Sequence, residues 1–190
     1  VQIGVLSYQG DVREHLSALG KLGVEAVPIK RPTQLQEVKG LIIPGGESTT
    51  IGKLMSEDGF FEPIRSLAEK GFPIYGTCAG LILLAKELVD SYDQPLLGLM
   101  DIKAKRNAYG RQRESFEEEI EISGFENPFR AVFIRAPRIE SWGEKVEVLA
   151  TYQGKPVMAR QENILVTSFH PELTNDLRIH KYFLKMVKES

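Results

Sequence analysis

In the first half of the chain, short apolar runs alternate with stretches whose hydrophobic spacing is helical. The short apolar run Ile3 to Leu6, with Gly4 and Gly10 beside its apolar residues, reads as a buried strand. Val12, Leu16, Leu19 and Leu22 recur three and four apart, one face of a helix. A second strand is expected over 24–29, closed by Pro32, and a third over 41–43, ending in Pro44-Gly45-Gly46. Helical spacing returns around 50–56 and 61–70. A fourth strand over 72–75 then runs into Gly76-Thr77-Cys78-Ala79-Gly80. After it, Leu81, Ile82, Leu83, Leu84, Ala85 and Leu88 are apolar almost all round, which predicts a buried helix reaching that far. Strands alternating with helices imply crossover connections and a parallel sheet.

The second half changes character. SFEEEIEIS (115–123) alternates Glu with Ile, a strand wet on one face. Strands are also expected over 131–134, 146–152, 156–159 and 164–168, with short links between them. Ile179, Tyr182, Phe183, Met186 and Val187 then mark one face of a final amphipathic helix. The expectation is an α/β core with antiparallel additions in the second half, without a linker, as a single domain over 1–190.

Composition narrows the function classes. Hydrophobic residues make up 42% and charged residues 26%, a globular balance that excludes a disordered or fibrous chain. A net charge of −2 provides no field for gripping a phosphate backbone, so nucleic-acid binding is not expected. No apolar run approaches the length of a membrane helix, and the N-terminus opens straight into a strand pattern without a secretory leader. One cysteine excludes an internal disulfide, and with three scattered histidines it leaves no metal-ligand spacing. A reducing, cytoplasmic setting follows.

Three segments carry candidate chemistry. Cys78 sits where a strand gives way to a helix, and the small residues around it permit a sharp turn. G-x-C-x-G is a nucleophile elbow with cysteine in place of serine. A helix start favours thiolate over thiol, and the N–H of Ala79 is placed to meet an oxyanion. The plain alternative is a small buried hydrophobe. In His170-Pro171-Glu172, the proline biases His170 toward extended backbone, where side chains two apart share a side. Glu172 would then accept from one ring nitrogen and leave the other as a base; the alternative is a turn with a solvated histidine. Pro44-Gly45-Gly46-Glu47-Ser48-Thr49-Thr50 fails the phosphate-loop and dinucleotide spacings but suits an oxyanion or carboxylate. Its alternative is a tight turn with a helix cap. His15 and His180 lie within the first and last helices and read as surface or packing residues. All three segments end a strand, where open α/β sheets keep their sites, and together they make an acyl-transfer kit.

At these residues the chain resembles the class I (triad) glutamine amidotransferases. LSYQGD (6–11), PGGESTTIGKL (44–54), RNAYGRQRESFE (106–117), FIRAP (133–137) and SFHPEL (168–173) are similar to the glutaminase-subunit family of pyridoxal 5′-phosphate synthases. Those segments span nearly the whole chain. The resemblance implies a flavodoxin-like three-layer sandwich and hydrolysis of L-glutamine to glutamate and ammonia, with no cofactor. It implies a partner, a (β/α)8-barrel synthase subunit in a large ring assembly, that consumes the ammonia. It assigns Cys78 as nucleophile with His170 and Glu172 completing a triad. Gly46 and Ala79 become oxyanion donors, and Gly46, Glu47, Ser48, Arg106, Ile134 and Arg135 line the glutamine pocket. Arg106 would hold the α-carboxylate, although its charged stretch (103–114) also reads as a solvated hairpin. Two competing readings are a cysteine hydrolase that acts without a partner, and a non-catalytic module. The intact Cys78, His170 and Glu172 argue against the second.

Overall fold

The computed structural model describes residues 1–90 and 93–190. In chain order the first half runs β1 (Gln2–Leu6), α1 (Val12–Lys21), β2 (Glu25–Ile29), β3 (Leu41–Ile43), α2 (Ser48–Glu57), α3 (Phe61–Glu69), β4 (Ile74–Thr77), α4 (Ala79–Leu84) and β5 (Ala85–Leu88). The second half adds β6 (Met100–Lys105), β7 (Ser115–Ile120), β8 (Phe129–Ile134), β9 (Arg138–Trp142), β10 (Glu147–Tyr152), β11 (Lys155–Gln161), β12 (Ile164–Thr167) and α5 (Arg178–Glu189).

The main sheet has the order β10-β11-β12-β4-β3-β1-β2. β2, β1, β3, β4 and β12 run parallel, while β11 and β10 extend the β12 edge antiparallel. The central strands are apolar on both faces because both are covered. Leu41 and Ile43 point into one core and Ile42 into the other; Ile74 and Tyr75 divide in the same way, as do Val166 and Leu165. The first core packs α2, α3 and α4 against the sheet through Ile51, Met55, Ile64, Leu81 and Leu84. The second packs α1 and α5 through Leu19, Ile179, Phe183 and Val187. This is the mixed, mostly parallel three-layer α/β arrangement expected from the sequence.

Two expectations are corrected. The helix after Cys78 ends at Leu84 and the chain turns into β5, because Leu97 and Leu99 donate to the carbonyls of Leu83 and Leu84 at 2.7 and 2.9 Å. A segment distant in sequence thus satisfies groups that another helical turn would have used. Residues 103–114 are not one solvated hairpin. Lys103 and Lys105 belong to β6, which with β5 and β9 forms a separate three-stranded sheet. Arg113 lies 4.2 Å above the ring of Phe116 and donates to the hydroxyl of Tyr152 at 2.7 Å, which fastens the rest of the segment to an aromatic cluster.

Four loops leave the C-terminal ends of β1, β3, β4 and β12 on one edge of the sheet. From β1, the chain moves to β2 on one side and then back to β3 on the other. That reversal opens a crevice between the loops after β1 and β3.

Candidate active site

Cys78 follows β4 directly and holds φ +52°, ψ −102°, a conformation that costs a non-glycine residue about 1–3 kcal/mol. Its N–H donates to the carbonyl of Thr167 at 2.9 Å, and its own carbonyl accepts from Ile82 at 3.2 Å. Those bonds on both sides keep the strained residue in place. The flanking glycines let the turn pack: a Cβ on Gly80 would stand 2.2 Å from the carbonyl oxygen of Ile43, and one on Gly76 would stand 2.6 Å from the backbone of Gly80. The thiol is nearly buried, with Sγ 3.9 Å from the carbonyl oxygen of Ile134.

His170 reaches the same place from β12. Its N–H donates to Val132 at 2.8 Å, and its ring faces Cys78 across Gly45. A Cβ on Gly45 would come within 2.7 Å of Cε1 of His170 and 3.4 Å of Cβ of Cys78. Nδ1 of His170 lies 2.6 Å from Oε2 of Glu172, the pairing anticipated for this motif. The backbone route differs from the expectation. Pro171–Leu173 is a short 3-10 turn rather than an extended stretch, and the turn folds the carboxylate back under the ring.

A second carboxylate, which the sequence reading passed over, meets the same nitrogen. Oδ2 of Asp11, in the loop after β1, lies 3.0 Å from Nδ1 of His170. Burial alone would lower the basicity of His170, but hydrogen bonds to Asp11, Cys78 and Glu172 outweigh it and push the pKa up to about 12. The two carboxylates diverge. Burial drives Glu172 up to about 7 against the pull of His170, whereas the hydrogen bond to His170 holds Asp11 below the usual carboxylate range. Asp11, His170 and Glu172 each place a potential ligand atom within 4.8 Å of the others.

Behind Glu172 lie the two histidines read as surface or packing residues. Both are fully buried, so the surface alternative is wrong. Nδ1 of His15 is 2.9 Å from Nε2 of His180, and Nε2 of His15 is 3.3 Å from Oγ1 of Thr77 and 3.7 Å from Oε2 of Glu172. Burial keeps His15 well below the ordinary histidine range and lowers His180 to about 4, so both rings are neutral.

In front of Cys78 opens a cavity of about 670 Å³. Gly46, Glu47, Ser48, Ala79, Arg106, Ile134 and Arg135 all line it, together with Cys78 and His170; Glu172 sits behind His170. Gln9, Gly10 and Asp11 also line it, from a loop whose motif signalled family membership but no role. The carboxylate of Glu47 caps α2, accepting from Thr49 N, Thr50 N and Thr50 Oγ1 at 3.2, 2.9 and 2.8 Å. Its N–H donates to Oε1 of Gln9 at 2.9 Å. Arg106 donates from Nη1 to Oγ1 of Thr49 at 2.9 Å and to Oε1 of Gln94 at 3.0 Å. Gln94 also accepts from the buried Ser48 hydroxyl at 3.3 Å and ties Arg106 to the start of α2. An elbow cysteine, a histidine fixed by carboxylates and a walled cavity suit nucleophilic attack on an amide or ester carbonyl.

The chain is 56% identical over 187 residues to the pyridoxal 5′-phosphate synthase subunit PdxT of Fervidobacterium nodosum, covering 98% of this chain and 97% of that one. It is 59% identical over 184 residues to the protein of the same name from Pseudothermotoga lettingae, covering 97% and 94%. A crystal structure of a glutamine amidotransferase matches with a TM-score of 0.94 at 51% identity, covering 98% of both chains. The structure of PurLQS from Thermotoga maritima matches with a TM-score of 0.68 at 18% identity, covering 99% and 95%, a likeness of fold alone. The model of the SNO glutamine amidotransferase family matches residues 5–189, and the chain belongs to that family.

Proposed function

We propose that this chain is the glutaminase subunit of a pyridoxal 5′-phosphate synthase. It hydrolyses L-glutamine to glutamate and ammonia, and the ammonia passes to the synthase subunit. The single observation that carries the reading is the pairing of His170 with Glu172 at 2.6 Å, beside an elbow cysteine that shares its cavity. The Cys78 thiolate attacks the side-chain amide carbon of glutamine. The N–H groups of Gly46 and Ala79 receive the oxyanion, where each such donor is worth about 2.7–4 kcal/mol of barrier. His170, held as a cation, gives its proton to the departing ammonia. Neutral once that proton has left, it activates water to cleave the γ-glutamyl thioester. Glu172 orients the ring throughout. Ser48, Arg106, Ile134 and Arg135 shape the glutamine pocket, with Arg106 on the α-carboxylate; Glu47 joins them through its backbone, its carboxylate being committed to α2. The partner is a (β/α)8 barrel assembled in a large ring, and the pair works in the cytoplasm. Among the described residues, no helix is long and apolar enough to cross a membrane.

Glutamate release from glutamine, measured with and without the synthase subunit, tests the reading. Covalent labelling by 6-diazo-5-oxo-norleucine is expected in the parent chain and absent in Cys78→Ala. Failure of the parent chain to release glutamate in the complex overturns it.

A further inference from the structure

Asp11 occupies the residue before the first turn of α1, a position where aspartate ordinarily accepts from the free N–H groups of its own helix. Here its side chain makes no such bond. A cap of this kind contributes about 1 kcal/mol, so a side chain that forgoes it is held by something else. That partner is Nδ1 of His170, 3.0 Å away. The loop carrying Asp11 is itself fixed on the two residues before it. Gln9 accepts from the N–H of Glu47 at 2.9 Å, and Gly10, at φ +86°, packs so closely on the carbonyl of Gly45 that a Cβ there would lie 1.7 Å from the oxygen. The aspartate is therefore delivered to the imidazole by a braced segment.

We propose that Asp11 is a positioning residue of the glutaminase reaction, a second carboxylate that works with Glu172 on Nδ1 of His170 and keeps the other ring nitrogen turned to Cys78. The inference rests on the assignment of Cys78 and His170 in the function proposed above. Its physical basis is charge placement. Glu172 is buried at the back of the ring, where ionisation is costly, and burial raises it to about 7. The side chain of Asp11 is 26% exposed and stays ionised next to the ring. The groups facing His170 are Cys78 in front, Asp11 and Glu172 on Nδ1, and His15 behind Glu172. Asp11 itself adds to that rise in Glu172, so of the two carboxylates on the ring it is the one that stays ionised, and its charge stabilises the imidazolium opposite the thiolate.

The test reads the thiol directly. Cys78 is the chain's single cysteine, so iodoacetamide alkylation followed by mass reports its thiolate without any enzymatic turnover. The rate is measured against pH for the parent chain, Asp11→Asn and Asp11→Glu. The Asn variant is expected to displace the alkylation profile by about one pH unit, a rate change of about tenfold, and the Glu variant to restore the parent profile. Melting temperature should not fall in Asp11→Asn, because asparagine is free to cap α1 as well as aspartate does. In the complex with the synthase subunit, kcat for glutamine should drop with KM unchanged. An Asp11→Asn alkylation profile that overlays the parent's overturns the inference. A parent chain that 6-diazo-5-oxo-norleucine does not label overturns the functional reading instead, so the two failures are distinct.

Discussion

Nδ1 of His15 and Nε2 of His180 stand 2.9 Å apart in the core, although 165 positions separate them in sequence. Each neutral imidazole offers one donor and one acceptor, so the pair satisfies a bond that water cannot reach. Because both rings stay neutral in the fold, the unfolded chain takes up protons first as pH falls. Their contribution to stability is complete above about pH 6.5. It is lost as pH drops through the depressed folded values, about 4 for His180. His180→Gln keeps a partner for His15 and removes one titration. Thermal unfolding between about pH 7 and about pH 4 should therefore lose less stability in the variant than in the parent. Equal slopes would contradict the assignment of neutral rings.

Cys78 stores strain that only glycine would relieve. Cys78→Ala and Cys78→Gly both remove the thiol and both should abolish glutamine turnover. They differ at φ +52°. Glycine escapes a cost of about 1–3 kcal/mol but loses about 0.5–1 kcal/mol through its freer unfolded chain. Denaturant unfolding should find the Gly variant more stable than the Ala variant by about 1 kcal/mol. An Ala variant that is the more stable of the two would mean the elbow carries no strain.

Gly80 sets the distance between α4 and β3. Gly80→Ala places a methyl 2.2 Å from the carbonyl oxygen of Ile43, which has no rotamer to retreat into. The expected loss is about 2 kcal/mol or more, at the upper part of the range for overpacking. Because Cys78 caps the start of α4, glutaminase activity should fall with it. Melting temperature and turnover measured together check both halves.

Arg106 is built into the pocket wall through Thr49 and Gln94. If its guanidinium binds the α-carboxylate, Arg106→Ala removes a contact made equally in the bound substrate and the transition state. KM for glutamine should rise about 10- to 100-fold, with kcat little changed, as expected for a charged hydrogen bond of about 1.5–3 kcal/mol. A variant with the parent's KM would leave Arg106 a purely structural role.

The signals visible in the sequence were those whose meaning is local. GTCAG announces a tight strand-to-helix turn because small residues are needed within five positions of one another. HPE announces a histidine backed by a carboxylate because its members are two apart, although a 3-10 turn joins them where the motif suggests an extended stretch. Asp11, Gln9 and Gln94 carried no such mark. Each finds its partners a dozen positions away or more, and an aspartate before a helix looks like a cap until its side chain is seen turned elsewhere. His15 and His180 failed for the same reason, since a histidine on a helix is dry or wet depending on what packs over it.

The order of apolar runs and helical spacings was enough to set an α/β sheet with its chemistry on the loops that end the strands. That order is written into periods of two and 3.6 residues, which any stretch of chain carries by itself. Folding decided where α4 stops, because carbonyls of Leu83 and Leu84 accept from residues beyond position 96. It also decided that two carboxylates rather than one face His170, and that two histidines form a dry pair behind them. Those outcomes depend on groups brought within about 3 Å from separate stretches of the chain, where hydrogen bonding and desolvation act on distance in space and not on distance in sequence.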